Sequence, residues 1–382
     1  MHIAFLTPEY PHSKVNHAAG LGTSIKNLVS ALVQENIKVT LFIYGQKCSE
    51  VFIEDGVSYH LIEDKKYKFA KWFWYRKYIQ NYVNREIKEK NISLIEAPDW
   101  TGITAFMTFN VPLIIRFHGS DTYFCHLENR KQKLKNRVFE TLAVRKANVC
   151  IAPTDFAGKV SSHLLGVSQH KVYTIHYGLD LNKFYNEQPE KVETGLILYI
   201  GTIIRKKGVF ELPEIFSLVR KQYPNAKLVL IGGDSEDIQT GNKSTWQLIG
   251  KLFETEDLQN VNYLGKIPYN EVQEYIKRAN VCVFPTYAET LGMVTIESMA
   301  MQKPVVNSNI GWAPELIEDE ISGFLVHPTD HLKYAAKIVS LLASKEKSKA
   351  IGLQARQFVE AKFDIKKIVK QNIELYQKKI FK

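Results

Sequence analysis

Residues 281–307 read VCVFPTYAETLGMVTIESMAMQKPVVN. The run opens on a short apolar strand at 281–284, turns through 285–291, predicts a helix over 292–302 and closes on a second strand at 304–307. Strand, turn, helix and strand in so short a span make a βαβ unit, and such units build parallel sheets. A glycine in the first turn of a helix costs stability that alanine would keep. Gly292 therefore marks a place where something must come close to the backbone. Two carboxylates frame it, Glu289 before the helix and Glu297 two turns in.

The same alternation runs outward along the chain. Strands are expected at 2–7, 38–43, 92–96, 112–117, 149–152 and 171–175, and again at 196–200, 227–231, 261–264, 281–284, 304–307 and 324–326, with helical stretches between. Residues 181–195 are polar and unpatterned and read as a linker. The chain thus divides into a first domain, 1–180, and a second, 196–363, followed by a basic helix over 364–382 that packs back on the first domain. At 382 residues two domains are the natural expectation. Two such α/β halves leave a cleft, and ligands bind beyond the carboxyl ends of their strands.

Composition narrows the class. Apolar content of 45% and charged content of 24% suit a globular protein. Every apolar run is shorter than the roughly 18 residues that span a bilayer, and the first residues read as a buried strand rather than a signal peptide. Cys48, Cys125, Cys150 and Cys282 lack metal or disulfide spacing, so a reducing cytoplasm fits best. A net charge of +10 points to anionic partners.

The second domain gathers charge at its strand ends. After 196–200 comes Gly201-Thr202-Ile203-Ile204-Arg205-Lys206-Lys207-Gly208, after 227–231 comes Gly232-Gly233-Asp234, and after 281–284 comes the turn to Gly292. Cations, glycines and a helix N-terminus at converging strand ends suit a diphosphate, held by the amides of Leu291, Gly292, Met293 and Val294. The alternative for the Arg-Lys-Lys run is a solvated basic loop. The glutamates would repel phosphate, so Glu289 suits a sugar diol and Glu297 a ribose. The plainer readings are dipole compensation for Glu289 and a solvent-facing helix residue for Glu297.

The stretch from Pro285 to Val326 resembles the signature of the family 4 retaining glycosyltransferases of the GT-B fold, with its two glutamates separated by seven residues. Ser298 and Gln302 are mild departures. The resemblance extends to Gly20-Leu21-Gly22-Thr23, Phe117-His118-Gly119-Ser120-Asp121, His176-Tyr177-Gly178-Leu179-Asp180 and Val261-Asn262-Tyr263-Leu264-Gly265-Lys266-Ile267. It implies two Rossmann-like domains facing across a cleft, a UDP-, GDP- or ADP-sugar donor, retention at the anomeric carbon, and a saccharide or lipid-linked saccharide acceptor bound by the first domain. By position it implies that Glu289 binds the donor sugar, Glu297 the ribose, Lys207 and the Gly22 amide the diphosphate, Ile267 the base through its main chain, and His118 the sugar near the reacting carbon. The family's arginine after the first glycine is Thr202 here, and Arg205 is the candidate substitute. The sequence holds no Asp-x-Asp triplet, so turnover is expected to need neither metal nor other cofactor.

Other classes fit less well. Gly20-Leu21-Gly22 begins a dinucleotide fingerprint, but Ile25 breaks it and no acid closes the second strand. No basic and aromatic motif of a nucleic-acid fold is present. An inactive partner subunit is opposed by the retained Glu289, Glu297 and Lys207. The segment Lys68–Tyr78 has two readings: a helix lying on an anionic membrane surface, or a core helix whose aromatic face includes Phe69, Trp72, Phe73, Ile79 and Val83.

Overall fold

The computed structural model describes residues 1–381. Two compact units emerge, one built from Met1–Gly178 together with the chain from Ile365 onward, the other from Leu179–Asp364. The division falls two residues before the expected boundary, and 181–195 belongs to the second unit instead of standing between the two.

The first unit is one sheet of β1 (His2–Thr7), β2 (Lys38–Gln46), β3 (Glu50–Glu54), β4 (Val57–Glu63), β5 (Leu94–Pro98), β6 (Leu113–Arg116), β7 (Val149–Ala152) and β8 (Val172–Thr174). The order is β3-β4-β2-β1-β5-β6-β7-β8, parallel except where β3 runs antiparallel to β4. That hairpin turns on Asp55-Gly56, both with positive φ, the geometry that suits strand twist. The expected strands are all present; the hairpin is an addition to them. The helices are α1 (Gly20–Gln34), α2 (Lys71–Lys90), α3 (Asp121–Leu127), α4 (Leu134–Lys146) and α5 (Asp155–Leu165). Strand residues alternate between two cores. Ile3, Phe5, Leu41 and Ile114 pack towards α1, while Ala4, Phe42, Ile95 and Ile115 pack with Ile79 and Val83 of α2.

The second unit orders β9 (Leu196–Ile200), β10 (Lys227–Ile231), β11 (Val261–Tyr263), β12 (Val281–Phe284), β13 (Val305–Asn307) and β14 (Phe324–Leu325) as β11-β10-β9-β12-β13-β14, all parallel. Strand order reverses between β9 and β12, and that switch point is where such sheets hold ligands. Its helices are α6 (Leu212–Gln222), α7 (Thr245–Gly250), α8 (Thr255–Leu258), α9 (Tyr269–Arg278), α10 (Met293–Ala300), α11 (His331–Ala343) and α12 (Lys345–Lys362). Among the described residues no helix is long and apolar enough to cross a membrane.

A last helix, α13 (Ile365–Ile380), completes the first unit. Ile368, Val369, Leu375 and Tyr376 join the core under α1. Each apolar side chain so buried contributes about 1.5–3 kcal/mol. Polar contacts fix the register. Arg116 on β6 holds Glu96 of β5 through two bonds of 2.6 and 3.0 Å and donates to Asn372 Oδ1 at 2.6 Å, while the Tyr376 hydroxyl donates to Glu96 at 2.6 Å. All four side chains are buried.

Candidate active site

Three loops beyond β9, β10 and β12 are knitted together by their backbones. The Gly201 amide donates to Ile231 O and the Ile203 amide to Gly233 O, each at 2.9 Å. The Tyr287 amide donates to Lys206 O at 2.8 Å. Gly208 has φ +70, and a Cβ there would lie 1.7 Å from Pro285 O. No other residue fits, so the glycine that closes the basic turn also seats it against the loop that leads into α10.

Lys207 comes out of that turn facing Glu289, with Nζ 2.7 Å from Oε1 and each side chain about a fifth exposed. The sequence alone does not show that these two touch. Beside them the chain enters α10 through Gly292 at φ +101, a conformation only glycine adopts freely. The helical ladder begins with Thr295, whose amide donates to Gly292 O at 3.1 Å. The amides of Met293 and Val294 precede the ladder and carry the positive end of the dipole. Residues 292–294 are half-buried while 295–300 are buried, so the helix presents only its start. Observed α10 is Met293–Ala300, shorter at both ends than 292–302.

Glu297 lies on the buried side of α10, not the solvent-facing side. Burial pushes its carboxyl up to about 7, against the pull of the Tyr269 hydroxyl, which donates to Oε1 at 2.6 Å. Tyr269 opens α9, and Ile267 lies half-buried just before it. That segment is tied to the end of β10, since the Gly232 amide donates to Gly265 O and the Tyr263 hydroxyl to Gly232 O, both at 2.9 Å.

Arg205 takes a different partner from the one expected. Its guanidinium grips Asp237 with bonds of 3.0 and 2.9 Å and lies 3.9 Å over the ring of Phe210. The Asp237 carboxylate is buried, and its bonds to Arg205 hold it down at about 2. The charge that the sequence assigns to the phosphates is thus largely compensated inside the loop. Asp237 lies in a polar segment, and nothing in that segment announces it.

Gly22 and His118 belong to the first unit. Gly22 is already inside α1, and its amide donates to the buried carboxylate of Glu9 at 2.7 Å. The structure thus gives that amide an acceptor within the chain, and a Cβ at Gly22 would stand a tight 3.1 Å from Tyr10 Cα. His118 follows β6. Its amide donates to Asp99 at 2.9 Å, its ring stacks on Tyr177 at 5.4 Å, and Nδ1 meets the Tyr177 hydroxyl at 2.7 Å. Burial first, and the charge of Arg116 second, lower the ring to about 3, so it is neutral at any ordinary pH. The segment 68–78 is split. Ile79 and Val83 are core, but Phe69 and Trp72 are exposed, which corrects the reading of all five aromatic-face residues as core.

A profile of glycosyl transferases group 1 matches residues 182–358, and one of glycosyltransferase family 4 matches residues 18–183. The chain belongs to glycosyltransferase family 4. A sucrose-phosphate synthase from Thermosynechococcus elongatus superposes on this glycosyltransferase with a TM-score of 0.79 at 22% identity, over 99% of this chain and 98% of its own. Anabaena HepE, solved with UDP-glucose, superposes with a TM-score of 0.73 at 18% identity, over 99% and 100%. The Staphylococcus aureus capsular polysaccharide biosynthesis glycosyltransferase CapM is 30% identical over 49% of this chain and 47% of its own. The shared fold is GT-B, with two Rossmann-like parallel-sheet domains.

Proposed function

We propose that this glycosyltransferase moves a monosaccharide from a nucleoside-diphosphate sugar to a saccharide or lipid-linked saccharide, with retention at the anomeric carbon and without a divalent metal. The observation that carries the reading is the Lys207–Glu289 contact of 2.7 Å beside the start of α10. Breaking the anomeric bond leaves a second negative charge on the terminal phosphate of the nucleotide. Lys207 and the Met293 and Val294 amides form a fixed set of donors for it, already oriented before the reaction. Diphosphate competes with Glu289 for the Lys207 ammonium, and the Glu289 carboxylate accepts from sugar hydroxyls. His118 of the first unit is neutral and supplies no imidazolium proton. Glu297 grips the ribose and Ile267 meets the base.

HepE was solved with UDP-glucose, which makes UDP-sugars the first donors to test alongside GDP- and ADP-sugars. CapM acts in capsular polysaccharide biosynthesis, and this supports a surface or extracellular polysaccharide as product. The test is turnover of these donors in EDTA, with the anomeric configuration of the product read by NMR. Activity that disappears in EDTA and returns with Mn²⁺, or an inverted product, refutes the reading.

A further inference from the structure

Helix α4 is apolar on two sides. Phe139, Ala143 and Val144 face the core, but Leu134, Val138 and Leu142 are exposed, Leu134 by 75%. Spaced four apart, these three line one stripe within about 80° of the helix surface. The start of α2 lies beside it, because the ring of Trp72 is 5.2 Å from that of Phe139. Phe69 and Trp74 next to it are 83% and 53% exposed. Trp100 is exposed on a short turn whose Gly102 is pressed so closely on α4 that a Cβ there would lie 2.3 Å from Phe139 C. The Leu134, Val138 and Leu142 stripe is thus flanked by Trp72 and by the turn that carries Trp100, with Phe69 and Trp74 exposed elsewhere about the start of α2.

The charge around them is mainly positive, although Lys65 and Lys71 pair with Glu63 and Asp64 and Arg76 is buried. Residues 130–146 carry seven Lys or Arg and a single acid, Glu140, which is buried and accepts from the Asp121 and Thr122 amides at 3.0 Å. Residues 65–77 carry six more cations and no acid. Lys131, Lys133, Lys135 and Arg137 are exposed around the Leu134–Leu142 stripe. A protein partner's interface core excludes lysine. Lysine interleaved with leucine, with tryptophan at the rim, is the composition of a helix that lies in the headgroup layer of an anionic bilayer.

We propose that α4 and the start of α2 form one surface by which the first unit lies on an anionic lipid bilayer, with Leu134, Val138 and Leu142 inserted and the lysines on the headgroups. This rests on the lipid-linked acceptor in the reading above, and it names the surface where such an acceptor is met.

The full chain is sedimented with phosphatidylcholine vesicles and with vesicles containing phosphatidylglycerol. Wild type should pellet only with the anionic vesicles and be released by salt. Each lysine near an anionic surface is worth about fivefold in partitioning, so Lys131→Gln, Lys133→Gln and Lys135→Gln together should weaken it on the order of 100-fold. Leu134→Ser, Val138→Ser and Leu142→Ser together should abolish it, and because all three are exposed the fold should survive. UDP-induced thermal shift should be unchanged in both variants, which separates this proposal from the donor reading. Wild type that stays in the supernatant, binding indifferent to both triple variants, or a dimer in vesicle-free ultracentrifugation that the serine variant dissociates would overturn it.

Discussion

Replacing Glu297 by glutamine should make the free protein more stable and a worse enzyme, and the balance should depend on pH. Burial raises the carboxyl from an ordinary value of 4.5 to about 7. Between those values the folded chain keeps a proton that the unfolded chain has released, so stability falls as pH rises, and above about 7 the full cost is present. The interval from 4.5 to 7, at about 1.4 kcal/mol per unit, gives about 3 kcal/mol. Glutamine keeps the shape and an oxygen for the Tyr269 hydroxyl but does not ionise. Near pH 8.5, Glu297→Gln should therefore raise the melting midpoint of the second unit by about 6–12 °C, while near pH 4 the two proteins should nearly coincide. Scanning calorimetry at the two pH values checks this. UDP titrations supply a second arm: if a ribose diol needs the ionised carboxylate, wild-type affinity falls as pH drops through about 7, whereas the variant binds weakly and evenly. A midpoint raised equally at both pH values, or lowered near pH 8.5, refutes the burial cost and with it the reason for keeping a carboxylate there.

Lys207→Ala should lower kcat by about 10²–10³, measured as donor turnover, because it removes one fixed donor from the departing diphosphate. Glu289→Gln should depress kcat sharply with little change in UDP affinity, as an interaction strengthened in the transition state requires; a change confined to affinity counts against the assignment. Arg205→Ala should cost about 1–3 kcal/mol in denaturant melts, because it strands the buried Asp237 carboxylate, and the cost should largely vanish in an Asp237→Asn background. If Arg205→Ala instead weakens UDP binding with no loss of stability, its charge serves the phosphates after all.

What the sequence displays is what it encodes locally. β12, the turn and α10 lie within one short segment, so Glu289, Gly292 and Glu297 fall into place from spacing alone. The basic run before Gly208 is legible as a run, but its cations part company: Lys207 faces Glu289 while Arg205 turns to Asp237. The partners are not legible. Arg205 and Asp237 are 32 positions apart, and Tyr269 and Glu297 28, with only folding to bring them together. Gly22 shows the converse. A glycine in a loop suggests a ligand at its amide, but the close neighbour is Glu9 of the same chain. Periodicity in 69–83 reveals an apolar face without revealing where the core ends, and Phe69 and Trp72 lie past that end. The β3–β4 hairpin carried its Asp-Gly turn openly, but β3 is five residues long and mostly exposed.

The return of α13 to the first sheet sets an order of events during synthesis. Residues 1–178 leave the ribosome with Arg116 and Glu96 in place but without Asn372 or Tyr376. At about 5–20 residues per second, the interval before Ile365 follows is about 10–40 s. The second unit is a single uninterrupted stretch, Leu179–Asp364, and it is complete before α13 is made. The first domain begun is therefore the last one finished. Until then the core around α1 lacks Ile368, Val369, Leu375 and Tyr376, and a stalled or clipped chain that never delivers α13 leaves it incomplete and open to aggregation and proteolysis.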